Sequence, residues 1–286
     1  MEHAVWDFRV TLDLFLGGLG IGLFLLSVLL SFNDNERSSK LTKGCAFLSP
    51  VLLGVGLLFL ISELGKPERF ITTMYRFNPQ SVTSWGGVFQ GAFVAASLAY
   101  AWLHFKDMTK GVLFRTLQVS GSILAIMVGV YHGLLLASLG RPLWMGGMIP
   151  VLFLVSSLLG ATSLVLILKA FISNQSKGFN FTLLFSSLTA AQLVLVIVWQ
   201  ITLFRSGLEP FRAVENMMEH YGSIWNGVFL GLGLLIPLLA SAYFLITSRE
   251  REMPKAVSVL VAFLVIAGSF TFKHIVLAAG QISLPF

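Results

Sequence analysis

Charge is what this sequence has least of. Only 11% of its 286 residues are charged, against 56% hydrophobic, whereas a soluble domain carries about 25% charged residues. An ordinary water-soluble globule is thereby excluded. Cysteine is nearly absent too: Cys45 stands alone, so no internal disulfide can form. Without a CxxC or CxxCH stretch the chain has no means of holding an iron–sulfur cluster or a covalently attached haem. The net charge of +6 does not mark a nucleic-acid binder, because the basic residues sit in short clusters between apolar blocks, the distribution expected of a membrane protein.

What the chain has is apolar blocks of roughly 20 residues, the length an α-helix needs to cross a hydrocarbon layer of about 30 Å. Eight such spans are predicted, at 8–32, 44–63, 85–105, 113–138, 147–171, 180–204, 223–247 and 256–280. The first is too long for the apolar region of a signal peptide and reads as a retained span. The fold class is therefore all-α integral membrane. An even number of spans puts both termini on one side. The loops on the opposite side carry eleven Lys and Arg, from Arg37 to Lys255, and the termini side carries seven. The richer side is expected to be cytoplasmic, so both termini face outward, to the periplasm where one exists. This predicts a multi-pass protein of a bacterial or archaeal inner membrane.

A repeat divides the chain. "SWGGVF" (84–89), "LWMGGM" (143–148) and "SIWNGVF" (223–229) each open a span from the outer side. Trp at such positions is expected at the membrane interface, with Gly neighbours allowing close helix approach. Two four-helix bundles are expected, residues 1–143 and 144–286. In the loop before the third motif, "EPFRAVENMMEHYG" has Pro210 where a helix can start and an apolar face, which predicts a short helix lying flat at the interface.

Ionisable residues inside a bilayer are costly, so each is a functional candidate. At about 1.5 Å per residue, Asp13 lies roughly 8 Å from the outer end of its span, and Tyr131, His132, Lys273 and His274 lie roughly 10–12 Å deep. Glu63 ends the second span, and Arg141 follows the fourth. Each has a structural alternative: Asp13 favours a helix N-terminus, Glu63 can pair with a loop cation, and Lys273 can snorkel outward. Their shared depth in the outer half points instead to a polar pocket open to one face, with no comparable set in the inner halves.

A lipid-soluble quinone suits such a pocket. Tyr131 or His132 could hold one of its oxygens, while Asp13 and Glu63 carry protons towards the outer surface. Electrons need a carrier. Two haems need four histidines inside the spans; of the five, His3 and His220 lie outside them and His104 at the opposite end, so only the pair His132–His274 could ligate one. A secondary transporter and a cytochrome b-type anchor are the alternative readings.

Several stretches match one family. "SELGKPERF", "FNPQSVTSWGG", "YHGLLLASLGRPLW" and the acidic aromatic loop before "IWNGVFLGLG" resemble the NrfD/PsrC-type membrane subunit. That family is the quinone-reactive anchor of polysulfide, thiosulfate and related molybdopterin oxidoreductases. The likeness runs from about residue 8 to 250, and the last span is generic. The resemblance implies an eight-span fold of two bundles that holds no haem or iron–sulfur cluster and exchanges electrons with a quinone or quinol, menaquinone foremost. It further implies a docked subunit with four iron–sulfur clusters on outer loops 64–84, 139–146 and 205–222, a molybdopterin catalytic subunit beyond it, and leaves a dimer of the complex open. Family quinone-site positions carry over to Asp13, Glu63 and Tyr131, with His132, Arg141, Lys273 and His274 as further candidates around the bound quinone. Some relatives have a histidine where this chain has Asp13. An ionised carboxylate cannot donate a hydrogen bond, so a proton-relay role fits Asp13 better than direct contact.

Overall fold

The computed structural model describes residues 6–33, 37, 39–63, 77–172, 179–249 and 251–282. Among the described residues, eight helices are long and apolar enough to cross a membrane: α1 (Phe8–Ser31), α2 (Lys40–Glu63), α3 (Val82–Phe105), α4 (Val112–Ala137), α5 (Met148–Phe171), α6 (Phe181–Arg205), α7 (Leu208–Thr247) and α8 (Lys255–Ala279). At about 1.5 Å per residue, even the 24-residue helices reach beyond a ~30 Å hydrocarbon layer. Short polar side chains set their starts. The Asp7 carboxylate accepts from Arg9 N at 2.7 Å, Ser39 Oγ from Thr42 N at 3.1 Å, and Asn180 Oδ1 from Leu183 N at 2.9 Å. Each satisfies an amide the first helical turn would leave unpaired.

Two helices form the centre. The most apolar windows of α1 and α5 are 78% and 67% buried, while every other span is half buried or less. α1 lies against α2, α4, α5 and α8, and α5 against α1, α4, α6 and α8. One apolar cluster comes wholly from α1–α4, including Phe24, Phe93, Tyr100 and Phe114. A larger one runs through α5–α8 and takes in Trp144, Phe153, Trp225 and Phe272. The outer residues of the bundle, such as Leu58, Val112, Leu239 and Ile246, expose large apolar side chains, as a lipid-facing surface requires.

Three expectations change. The short helix expected to lie flat at the interface within 209–222 is instead the first part of α7, whose 40 residues continue without a break; hydropathy misses it because only one of its faces is apolar. Within α7 the stretch Trp225–Leu235 is π-helical, and Gly233 there packs against Gly268 of α8, where a Cβ would lie 2.7 Å from the Gly268 Cα. Of the three repeated tryptophans only Trp85 is exposed; Trp144 and Trp225 are buried, and Trp144 Nε1 donates to the Val276 carbonyl at 2.8 Å. Finally, the end of α1–α4 remote from Tyr131, expected to be without such groups, does carry a buried polar set. Tyr100 Oη and Ser31 Oγ are 3.0 Å apart, Ser27 Oγ donates to the Thr42 carbonyl at 3.0 Å, and fully buried His104 meets the Tyr100 ring edge-on at 4.7 Å. Hydroxyls hide in an apolar run because each can be satisfied by a single neighbour.

Candidate functional site

Four of the seven candidates gather around α1, carried by α1 itself, α4 and α8. Asp13 on α1 is 4% exposed, His132 on α4 2%, Lys273 on α8 1% and Tyr131 on α4 7%. Glycines make this closeness possible. The Asp13 carboxylate fills the seam beside Gly56 of α2, where a Cβ would lie 3.2 Å from Oδ1. The hydroxyl end of the Tyr131 ring lies against Gly86 of α3, in the space any larger side chain would occupy. Gly17 does the same for His132, whose Cε1 would be 3.3 Å from a Cβ there.

Lys273 does not snorkel outward. Its Nζ donates inward to the Leu14 carbonyl at 2.7 Å and to Ser157 Oγ at 3.1 Å, and sits 5.7 Å from the centre of the Phe153 ring. Gly18 leaves the gap that the ammonium and the Ser157 hydroxyl fill. Asp13 lies within electrostatic reach of Lys273 and Tyr131, and His132 within reach of Lys273, although no direct ion pair joins Asp13 and Lys273 among the described residues. One buried carboxyl therefore faces one buried ammonium in a low-dielectric site, where each makes the other tolerable.

Glu63 stands at the rim instead. Its Oε2 is 2.6 Å from Arg9 Nη2, and Arg9 also donates to the Ser62 carbonyl at 2.6 Å and to Asp7 Oδ2 at 2.8 Å. Arg9 thus closes the C-terminus of α2, where a cation is favoured. Burial works against the Asp7 charge, but the hydrogen bonds from Arg9 outweigh it and hold the carboxyl below its ordinary value. Arg9 and Asp13 are four residues apart on α1, so the Arg9–Glu63 pair lies one helical turn, about 6 Å, outward of the buried carboxyl on the same α1–α2 seam.

The other candidates lie apart. His274 faces away from Lys273: its Nδ1 is 3.3 Å from Thr11 Oγ1, and its ring stacks on Phe270. It lines a separate cavity of about 480 Å³ with Trp6, Asp7, Phe8 and Tyr221. His132 and His274 turn to different sides of α1, so they do not face a common site as axial haem ligands would. Arg141 reaches the Gln281 carbonyl at 3.5 Å. Of the expected docking loops, residues 64–76 lie outside the described residues, while the turn Pro142–Trp144 and the start of α7 pack together near the C-terminal ends of α6 and α8.

Sequence reasoning missed Gln90, Ser157 and Arg9 as site residues. Gln90 Nε2 lies 3.4 Å from His132 Nε2 across the α3–α4 contact, and Gln90 is itself buried. An amide inside a glycine-rich apolar run was the available signal. His132 Nδ1 is buried with no hydrogen-bond partner, so one side of the imidazole is fixed and the other is left to meet something else. The Gln90 amide nitrogen can only donate, so Nδ1 carries the hydrogen, and a quinone oxygen, which accepts both as a carbonyl and as a hydroxyl, fits that nitrogen chemically.

The arrangement has relatives. Over 98% of this chain and 96% of its own length, the "Protein NrfD homolog" of Haemophilus influenzae is 24% identical. A polysulfide reductase component from Wolinella succinogenes is 26% identical over 97% and 95%. A selenate reductase component from Mesobacillus selenatarsenatis is 28% identical over 80% of this chain and 62% of the relative. The family model described as "Polysulphide reductase, NrfD" matches residues 1–285. Matched almost end to end, and built of eight membrane-length helices, the chain belongs to the NrfD family.

Proposed function

We propose that this chain is the quinone-reactive membrane subunit of an oxidoreductase complex, exchanging electrons between membrane quinol and an iron–sulfur subunit docked on its outer face. The relatives named as parts of polysulfide and selenate reductases support a place in such a complex. A molybdopterin catalytic subunit and menaquinol are the partner and substrate this reading favours. The observation that carries it is the buried group of Asp13, Tyr131, His132 and Lys273, one turn beneath the Arg9–Glu63 pair.

Oxidation of a bound quinol yields two electrons, which pass to the docked subunit, and two protons, which this protein must carry away. Tyr131, the most exposed of the four, takes the proton of one quinol hydroxyl as its own phenolic proton passes to Asp13. His132, whose Nε2 accepts from the Gln90 amide, donates its Nδ1 hydrogen to the other oxygen and holds it. Asp13, emptied through Glu63, takes the second proton from the hydroxyl that His132 holds, and Lys273 balances its charge. Glu63, one turn outward, hands them to the outer surface while Arg9 holds it in place. Positioned acids and bases of this kind contribute about 10²–10⁴-fold to a proton transfer.

The test is quinol-driven turnover by the assembled complex. Tyr131→Phe and Glu63→Gln are each expected to slow it by tenfold or more while subunits still co-purify and an artificial electron donor still drives the catalytic partner. Near-normal quinol turnover in both variants would remove these residues from the mechanism.

A further inference from the structure

On the side of α1 away from Asp13 is a cavity that the proposed reaction does not use. It measures about 480 Å³ and is walled by Trp6, Phe8, Thr11, Tyr221 and His274, with Asp7 at one edge. Small-molecule sites occupy roughly 300–1,000 Å³ and combine aromatic walls with a few polar groups, as this one does. Thr11 and Asp13 are two residues apart, a rotation of about 200° on a helix, so α1 itself separates this cavity from the buried carboxyl. No Lys or Arg lines the cavity among the described residues, and both Asp7 oxygens are held by Arg9. The ligand it suits is uncharged.

Its polar centre is a pair. His274 Nδ1 and Thr11 Oγ1 are 3.3 Å apart, and no hydrogen bond engages His274 Nε2 among the described residues. A hydroxyl both donates and accepts. With Thr11 accepting from Nδ1, Nε2 is bare and accepts from a ligand hydroxyl. With Thr11 donating to Nδ1, Nε2 carries the hydrogen and donates to a ligand carbonyl. One imidazole thus serves quinone and quinol alike, whereas Gln90 fixes the tautomer of His132. The way in is from the lipid. On α8, Leu260 and Phe263 are 62% and 57% exposed, and Ala267, Phe270, His274 and Ala278 continue that stripe at steps of three or four residues, each at least partly exposed. Phe8 and Phe15 of α1 meet Phe270 edge-on at 5.6 and 5.3 Å, and the His274 ring lies parallel to Phe270, so flat rings flank the entrance.

We infer that this cavity is a second position for a quinone headgroup, separate from the one beside Asp13, with His274 Nε2 holding one oxygen and the isoprenoid chain lying along Phe270 and Phe263. The inference rests on the quinone reading proposed above and extends it. Here no free acid stands ready to take a proton, and the imidazole turns to suit either redox form. The cavity is therefore a place of exchange, where quinol arrives and quinone leaves unchanged. A phospholipid would cover the stripe on α8, but its charged headgroup meets no partner inside.

The intact complex, in lipid nanodiscs, is irradiated with an azido-1,4-naphthoquinone bearing an isoprenoid chain, and labelled peptides are located by mass spectrometry. Two labelled regions are expected, one around Tyr131 and one between His274 and Ile282, and excess menaquinone should suppress each. Ala278→Trp, which fills the cavity, should abolish the second label. His274→Phe should raise its half-saturating concentration about tenfold, the loss of one hydrogen bond. Both variants should leave the Tyr131 label within twofold of normal. Label confined to the Tyr131 region overturns the inference and leaves the quinone reading standing, and label at neither region overturns both. Label at the second region alone supports the inference while removing the first site. A second label that menaquinone does not suppress, or that either variant leaves unchanged, also overturns the inference, since ordinary labelling from the lipid phase would behave so. Suppression by menaquinone in the unmodified protein decides the matter even where a variant folds poorly.

Discussion

Gly86 offers a way to move a catalytic hydroxyl without removing it. The hydroxyl end of the Tyr131 ring lies against this glycine, and a methyl group there would overlap Cζ, Cε2 and the phenolic oxygen together. To regain ordinary contact the ring must retreat by roughly 1.5 Å. Gly86→Ala keeps every functional group of the proposed site and changes only where one of them stands. Forcing a methyl into a packed seam costs about 1–3 kcal/mol of stability, a few degrees in the melting temperature of the detergent-solubilised protein. Displacing a reacting group by about 1 Å costs on the order of a hundredfold in rate. Quinol-driven turnover of the assembled complex should therefore fall far more than stability does. In a Tyr131→Phe background, Gly86→Ala should cost little further turnover, because the hydroxyl it displaces is already gone. Turnover above half of normal in Gly86→Ala, with the melting temperature lowered as expected, would refute the reasoning: the ring would have moved and the reaction would not have noticed.

Two other perturbations probe the charges. Lys273→Met leaves Asp13 buried without its cation and should destabilise the protein by about 3 kcal/mol or more; Asp13→Asn in the same protein should restore most of that. Unfolding measurements on the four-member cycle check this, and simple additivity of the single variants would mean that the two groups do not interact. Arg9→Gln should have a small effect near neutral pH, because its side chain is 42% exposed and exposed pairs contribute about 1 kcal/mol or less. Its effect should depend on pH in a defined sense. The Asp7 carboxyl is held below its ordinary value in the folded protein, so its contribution is present above about pH 4 and is lost as pH falls below that. Melting curves between neutral and acid pH should accordingly decline less steeply in Arg9→Gln than in the unmodified protein.

The spans were legible because a bilayer demands long apolar helices, and such runs leave an unmistakable record in composition. Asp13, Tyr131 and His132 were legible for the converse reason: a polar group at that depth needs an explanation. What could not be read was direction. Lys273 and His274 are neighbours at one depth, yet a turn of about 100° along α8 sends the first into the α1–α5 seam and the second towards Thr11 and Phe270. Whether Lys273 snorkels or turns inward depends on Gly18 and Ser157, residues on two other helices that no local pattern connects to it. Arg9 was counted as a flanking charge, although it closes the end of α2. The extra length of α7 escaped notice because an amphipathic extension leaves little trace in average hydropathy.

The grip of Lys273 on the Leu14 carbonyl also bears on how the protein is made. Residues 14 and 273 are separated by nearly the whole sequence, and Trp6 and Gln281 add a reciprocal pair of hydrogen bonds at 2.8 and 3.0 Å alongside. α1 thus acquires its final neighbours only after α8 has been synthesised. Until then Asp13 resides in the bilayer without its ammonium, and the nascent protein cannot reach its finished form by adding helices one after another. A polypeptide interrupted before α8 leaves an uncompensated acid for membrane quality control to find.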